Sequence, residues 1–497
     1  MKFYNIKKYI KNNKSNIISL SFAIFFLSFG MTIHRYFGVT EVEQVIFHME
    51  NPLQGVDGRL VSGFFRHSIL QPVVIIAVSL LIFSAYPSIG KRIHSLSLAL
   101  WILGVVRLFS CFTGYAYFSG YISSDDPSDD FYRERVVQPE ISSITFSEKR
   151  NLVVLYLESL EASFGDRQIF PVNLLPRLSQ WRERHAFVRD AFQAHDTGWT
   201  IAGIVSSWSG LPLRAGAGAK NNSFMPGIVM VPDVLARHGY NLKYIQGTSL
   251  YFTGKNLLFL THGFAPEQIV GLETVLEKHP DWMPRYHGPA DWGLRDSVTY
   301  QMARKSLMEL SRENKPFALF MLTVNPHFSK GFVEPGWNGP EIEELDQEQQ
   351  AYADVVTNAD MLASEFLHWL SEQDFADSTT VVVLSDHFVM GTALAPFLNE
   401  QAARRRNLNI VINAARPLNA TGRAISQFDW APTMLEAVGA RIPGGRMGLG
   451  VSLFSERRTL VEEMGIEKLN DELRAYSPYY VDIAMERQEK EGAASIR

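Results

Sequence analysis

Three short, uninterrupted apolar runs, Asn151–Leu157, Phe317–Val324 and Thr379–Leu384, constrain the fold of this chain more than any other feature. A run of this length without alternation predicts a strand buried on both faces, as in parallel sheets covered by helices. Helix-like stretches stand between and beyond them: Leu174–His185, Val231–His238, Ser297–Glu313, the acidic Glu341–Gln373 and Asp429–Val438. Leu242–Ile245 and Leu408–Asn413 add two more strands. This alternation predicts an α/β fold, a mainly parallel sheet sandwiched by helices.

Each long run ends in a residue able to bind metal or phosphate. Glu158 follows the first, His327 the second and Asp386-His387 the third. Ligands gather at the carboxyl ends of strands in open α/β sheets. The Asp-His pair supplies a hard oxygen and an imidazole nitrogen, suited to Mn²⁺, Zn²⁺ or Mg²⁺, although the bare dipeptide specifies little. The stretch His195–Arg214 places Thr197, Thr200, Ser206 and Ser207 around and after Gly198, running into an apolar helical segment. A hydroxyl at a helix N-terminus sits among free N–H groups at the positive end of the dipole, a place to bind and attack an anion. It is equally the place for an ordinary N-cap, and from the turn alone the four hydroxyls are equal candidates. Two carboxylates, one imidazole and the Thr200 oxygen would make a four-ligand metal site. Such a metal would lower the hydroxyl pKa and stabilise charge on a phosphoryl oxygen.

At 497 residues the chain is too long for one compact domain, and its first 124 residues are much more apolar than the rest. Five lysines (Lys2, Lys7, Lys8, Lys11 and Lys14) precede uncharged Ile17–Ile33, and no small-x-small cleavage site follows, which favours an anchor over a signal peptide. Ser68–Gly90 and Ser95–Ser123 read as two further spans. Arg107 in the last is costly in hydrocarbon unless it snorkels, pairs or packs against protein. Basic residues at the N-terminus and at Lys91–His94 belong on the cytoplasmic side. Three spans then put the loop His34–His67 and everything after Ser123 outside, facing the periplasm or cell exterior; two spans would invert the arrangement. The expected organisation is a three-helix membrane anchor over 1–124, an acidic linker over 125–149, a catalytic domain over 150–455 and a charged helical tail, poorly ordered in part, over 456–497.

A net charge of −5 leaves no basic surplus for a nucleic-acid partner. The single cysteine, Cys111, excludes a disulfide framework and a cysteine-based metal site.

With these residues assembled, the chain resembles the alkaline phosphatase/sulfatase superfamily. Within it the membrane-anchored phosphoglycerol transferases are most similar: lipoteichoic acid synthase and, more closely, the enzyme that decorates periplasmic glucans. The resemblance spans Asn151–Phe454. It is carried by Glu158-Ser159, Gly-Trp-Thr-Ile-Ala-Gly at Gly198–Gly203, Gly-Leu-Pro-Leu at Gly210–Leu213, Thr-Val-x-x-His at Thr323–His327, Ser-Asp-His at Ser385–His387 and Gly-Leu-Gly at Gly448–Gly450. It implies Glu158, Thr200, Asp386 and His387 as ligands of one divalent ion, usually Mn²⁺ or Mg²⁺, with Thr200 as nucleophile. It also implies His327 and Lys255 as substrate contacts, with Phe252 the candidate aromatic partner of Lys255. Trp292 and Asp296 fit a recurrent Trp-Gly-x-x-Asp stretch without an assigned role.

The activity implied is transfer of phosphoglycerol from phosphatidylglycerol in the bilayer to a glycan acceptor. The alternatives are a phosphoethanolamine transferase acting on lipid A or a surface glycan, a hydrolase, or a catalytically dead membrane scaffold. No second set of metal ligands is evident. Pro212 and Arg214 have the spacing of the sulfatase Cys/Ser-x-Pro-x-Arg motif, but Gly210 stands where the nucleophile would be.

Overall fold

The computed structural model describes residues 13–37, 40–51, 58–86, 88, 97–110, 112–113, 130–280 and 292–486. They fall into two units: Met1–Val45 with Val56–Tyr115, and Ile46–Gly55 with Ala116–Arg497.

In the first unit, helices Lys14–Phe37 and Ser97–Phe109 approach each other at glycines. A Cβ on Gly30 would meet Leu108 Cα at 3.0 Å, and one on Gly104 would meet the Ala23 carbonyl oxygen at 3.1 Å. Small residues are what let apolar helices pack this closely. Among the described residues, Val61–Ala85 is the one helix long and apolar enough to cross a membrane, and Ile17–Ile33 is a shorter apolar stretch. The expected third span is helical over Ser97–Phe109, with half-buried Arg107 in its last turn. Its residues 114–123 lie outside the described residues, as do 125–129 of the expected linker.

The second unit is built on a six-stranded sheet: β1 Asn151–Leu157, β2 Asn241–Gln246, β3 Ile269–Val270, β4 Phe317–Leu322, β5 Thr379–Ser385 and β6 Asn409–Ile412. Their order is β6-β5-β1-β4-β2-β3, parallel except for β6. The helices that position the site are α1 Pro176–Arg184, α2 Thr200–Ser209, α3 Val231–Arg237, α4 Lys255–Thr261, α5 Asp296–Leu310, α6 Gln347–Ser371 and α7 Trp430–Ala437.

Because side chains alternate across a strand, β1 feeds two cores. Leu152, Val154 and Tyr156 join the layer containing α2, α3, α4 and α7, while Val153, Leu155 and Leu157 join that of α1, α5 and α6. Trp208 of α2 anchors the first layer, fully buried, with its ring 5.0 Å from Phe320 and 5.8 Å from Phe259.

Two expectations about the flanks change. From Asp130 onward the linker is packed: Asp130 caps the turn Phe131–Arg135, and buried Tyr132 donates to the Leu473 carbonyl at 2.9 Å. The C-terminal segment is three helices, Leu460–Met464, Ile466–Arg474 and Pro478–Met485, with Leu469, Leu473, Tyr480 and Ala484 in the core. Leu469 and Leu473 turn the apolar stripe of Ile466–Arg474 inward, and Glu462 bonds Arg423 at 2.6 Å. Residues 487–497 lie outside those described.

Candidate active site

The three central strands β5, β1 and β4 end side by side, with Leu384 and Leu322 both in register with Tyr156. Glu158 and Asp386 therefore emerge as neighbours. Ser159 takes a left-handed conformation (φ 53°), and its N–H donates to Asp386 Oδ1 at 2.8 Å. The same oxygen accepts the His387 N–H at 2.8 Å. The Glu158 N–H donates to Thr323 Oγ1 at 2.9 Å, tying the turn after β1 to the end of β4.

Gly203 lets α2 reach this cluster. A Cβ there would stand 2.1 Å from the Asp386 carbonyl oxygen, so only a glycine allows the first turn of α2 to rest on the strand end. At the other end of α2, Gly210 closes the helix in the left-handed region (φ 74°), and its carbonyl accepts the Leu449 N–H at 2.8 Å. The Gly-Leu-Pro-Leu and Gly-Leu-Gly stretches are thus two sides of one contact. Arg214, which follows, is buried with Nε 3.8 Å from Asp196 Oδ2 and donates to the Ala475 carbonyl.

The four candidate hydroxyls separate. Thr197 donates to the Ala194 carbonyl at 2.6 Å, Ser206 to that of Gly203 at 3.1 Å, and Ser207 bonds the Tyr156 hydroxyl at 2.7 Å. Thr200 is partly exposed, and its Oγ1 donates to Glu158 Oε2 at 3.2 Å and lies 3.5 Å from His387 Nε2.

The tautomer of His387 follows from its partner. Nδ1 lies 2.7 Å from the Phe388 carbonyl, which can only accept, so the neutral ring carries its proton there and presents the Nε2 lone pair inward. That Nε2 is 3.4 Å from both Glu158 Oε1 and Asp386 Oδ2. Burial opposes charge on the ring, but Asp386 and Glu158 outweigh it and raise the imidazole to about 9. Burial likewise raises Asp386, together with the Glu158 charge, to about 7. Glu158 goes the other way: burial would raise it, but the His327 and His387 imidazoles hold it well below the usual carboxylate range.

This donor set fits a divalent cation. Ligand atoms of Glu158, Asp386 and His387 lie within 4.8 Å of one another, all buried. Asp386 Oδ2 is buried and takes no hydrogen bond from any described residue. An unsatisfied buried carboxylate oxygen is expensive unless a cation faces it.

His327 leaves β4 beside this cluster, with Nδ1 2.9 Å from the Phe328 carbonyl. The Trp-Gly-x-x-Asp stretch holds it in place. Asp296 accepts the Val324 and Asn325 N–H groups at 2.7 and 3.0 Å, and Trp292 Nε1 donates to the Phe328 carbonyl at 3.1 Å. The Trp292 ring lies 4.2 Å from that of His327. Lys255 opens α4 after left-handed Gly254 (φ 76°), buried, with Nζ 5.9 Å from the Phe252 ring. Burial lowers its ammonium to about 8. Sequence reasoning missed His48, whose ring lies 6.2 Å from Trp199 and 6.0 Å from Phe252. A lone histidine so far upstream of the catalytic strands carries no signal of its place.

Two curated relatives are phosphoglycerol transferase I of Escherichia coli O6:K15:H31, 32% identical over 313 residues (62% of this chain, 39% of the relative), and phosphoglycerol transferase I of Salmonella typhi, 31% identical over 337 residues (66% and 43%). The chain thus spans about two fifths of the length of these relatives. Among solved structures, the lipoteichoic acid synthase LtaP of Listeria monocytogenes matches with TM-score 0.50 at 15% identity, over 69% of this chain and 97% of that one. The fold is accordingly an alkaline phosphatase-like α/β fold. The sulfatase family model matches residues 150–440, more than half of the chain, and the protein is a member of the sulfatase family.

Proposed function

We propose that this protein is a metal-dependent transferase that moves a phosphoglycerol group from phosphatidylglycerol, through a covalent intermediate on Thr200, to a glycan acceptor. The observation that carries the reading is the place of Thr200 Oγ1. It sits at the start of α2, 3.2 Å from Glu158 Oε2 and 3.5 Å from His387 Nε2. The name and 32% identity of the relatives favour phosphoglycerol as the group transferred.

Glu158, Asp386, His387 and Thr200 would hold the divalent cation. When bound, it would acidify the threonine hydroxyl and neutralise charge on the phosphoryl oxygens. Thr200 loses its proton as the Oγ1–phosphorus bond forms and the bond to the diacylglycerol oxygen breaks, and the departing diacylglycerol oxygen takes up that proton. The N-terminus of α2 offers N–H groups to the phosphate. Lys255 supplies a cation for it, and His327, with Nδ1 turned to the Phe328 carbonyl, leaves Nε2 for a substrate hydroxyl. An acceptor hydroxyl then attacks phosphorus, its proton passing to Thr200 Oγ1 as the Oγ1–phosphorus bond breaks.

The setting is a bacterial inner membrane, with the site on the outer side. The described residues 46–51 belong to the same compact unit as β1, and this supports a reading with an even number of crossings between them. Helices Val61–Ala85 and Ser97–Phe109 are the two candidates.

The test is to incubate the full chain in detergent with Mn²⁺ and either phosphatidylglycerol or phosphatidylethanolamine, then measure intact mass. A glycerophosphoryl adduct absent from Thr200→Ala is the expected result. A phosphoethanolamine adduct would transfer the assignment to that donor, and full transfer by Thr200→Ala would end the covalent reading.

A further inference from the structure

Residues 46–51 lie in sequence between the apolar helices Lys14–Phe37 and Val61–Ala85, yet they pack into the catalytic unit. Phe47 is fully buried there, its ring 5.9 Å from that of Trp199. Asn51 Oδ1 accepts the Ala219 N–H at 2.7 Å, and Glu50 Oε2 accepts that of Gly216 at 2.8 Å. Gly218 is shaped to this segment, because a Cβ on it would stand 2.6 Å from the Asn51 side chain. His48 lies between these fastenings and is itself only half-buried.

Its ring begins a chain of half-buried rings. His48 is 6.0 Å from Phe252, Phe252 is 5.9 Å from Trp292, and Trp292 is 4.2 Å from His327. Trp199, whose ring lies 6.2 Å from that of His48, is the residue before Thr200. Ring faces next to hydrogen-bonding imidazoles suit a polyol: its C–H groups pack on the rings and its hydroxyls bond the nitrogens.

We propose that His48 is a substrate-binding residue that closes an aromatic wall with Phe252, Trp292 and His327 for the hydroxyl-bearing part of a polyol substrate. The site is then incomplete in the domain that follows the membrane helices and needs this upstream segment. The polyol is either the glycerol end of the donor or a sugar of the acceptor. Only that choice rests on the function proposed above.

The experiment compares full-length wild type, His48→Ala, His48→Gln and, as a surface control, Met49→Ala, a position 81% exposed. Diacylglycerol release from phosphatidylglycerol and transfer to a soluble glucan are followed separately. His48→Ala should raise one KM about tenfold, the worth of one good hydrogen bond, with kcat and Tm little changed. His48→Gln should recover most of the loss and Met49→Ala should match wild type. A rise for lipid alone puts the glycerol on the wall; a rise for glucan alone puts the sugar there. Unchanged KM for both overturns the proposal. If wild type turns over phosphatidylethanolamine instead, the donor reading fails and the same comparison on that lipid still decides the role of His48. If no lipid is turned over, quenching of tryptophan fluorescence by sn-glycerol 1-phosphate decides it, and equal Kd for wild type and His48→Ala overturns it.

Discussion

Gly203 and Asp386 are in backbone contact: a Cβ on the glycine would stand 2.1 Å from the aspartate carbonyl oxygen. The position of Thr200 over Glu158 depends on that contact. Gly203→Ala must push the first turn of α2 away from the strand end. A shift of about 1 Å in a reacting group costs roughly a hundredfold in rate. We expect kcat to fall by about that factor while the far-ultraviolet circular dichroism stays native. Wild-type kcat in Gly203→Ala would show that α2 does not set the geometry.

Removing the metal should be equally telling. The buried, unbonded Asp386 Oδ2 implies that a bound cation stabilises the folded state as well as supporting turnover. Dialysis against a chelator should abolish activity and lower Tm, and Mn²⁺ or Mg²⁺ should restore both. In Asp386→Asn the chelator should no longer move Tm. Activity that survives exhaustive chelation would remove the cation from the mechanism.

Trp292 bonds the Phe328 carbonyl at 3.1 Å and flanks His327 at 4.2 Å. Trp292→Phe keeps a ring but loses the donor. The loss of one such bond, about 1 kcal/mol, should raise KM for the donor about fivefold with little change in Tm. A change in Tm without a change in KM would make the residue purely structural.

The strands were legible because burial on both faces leaves an unbroken apolar run, as in Asn151–Leu157. The strand-end residues Glu158 and Asp386-His387 were legible for the same reason, since the run marks where it stops. The second long run ends at Leu322 rather than at Val324, because Asp296 takes the Val324 N–H that a neighbouring strand would otherwise bond. No local pattern announces such a side-chain clamp. The two-residue edge strand Ile269–Val270 is too short to show a period. The packing of the C-terminal helices is hard to read for a related reason: charge dominates their composition, while Leu469 and Leu473 supply a single narrow stripe.

Lys255 makes the donor site pH-dependent. Burial lowers its ammonium to about 8, with Glu158 and Glu273 opposing. A lysine is cationic below its pKa, so the charge facing an anionic headgroup is present at neutral pH and is lost as pH rises through 8. KM for phosphatidylglycerol should climb above that pH by up to about tenfold per unit. Lys255→Arg should flatten the rise, because the guanidinium stays charged. Stability moves the other way. The unfolded lysine holds its proton to its ordinary 10.5, so between 8 and 10.5 the unfolded state binds more protons and this group favours folding as pH rises. A rise in KM that persists unchanged in Lys255→Arg would assign it to another group.

Leu473 decides whether the C-terminal helices belong to the domain. Its side chain is fully buried, and its carbonyl accepts the Tyr132 hydroxyl at 2.9 Å from the opposite end of the unit. Truncating a leucine in such a place costs about 2–5 kcal/mol through lost burial and the cavity left behind. Leu473→Ala should therefore lower Tm by several degrees, and removal of residues 457–497 should leave the full chain unable to fold its catalytic unit. Exposed Lys468 on the same helix supplies the control, since Lys468→Ala should stay within about 0.5 kcal/mol of wild type. Limited proteolysis reads the same question directly. A catalytic unit that stays resistant after cleavage near residue 456 would return this segment to the status of a tail.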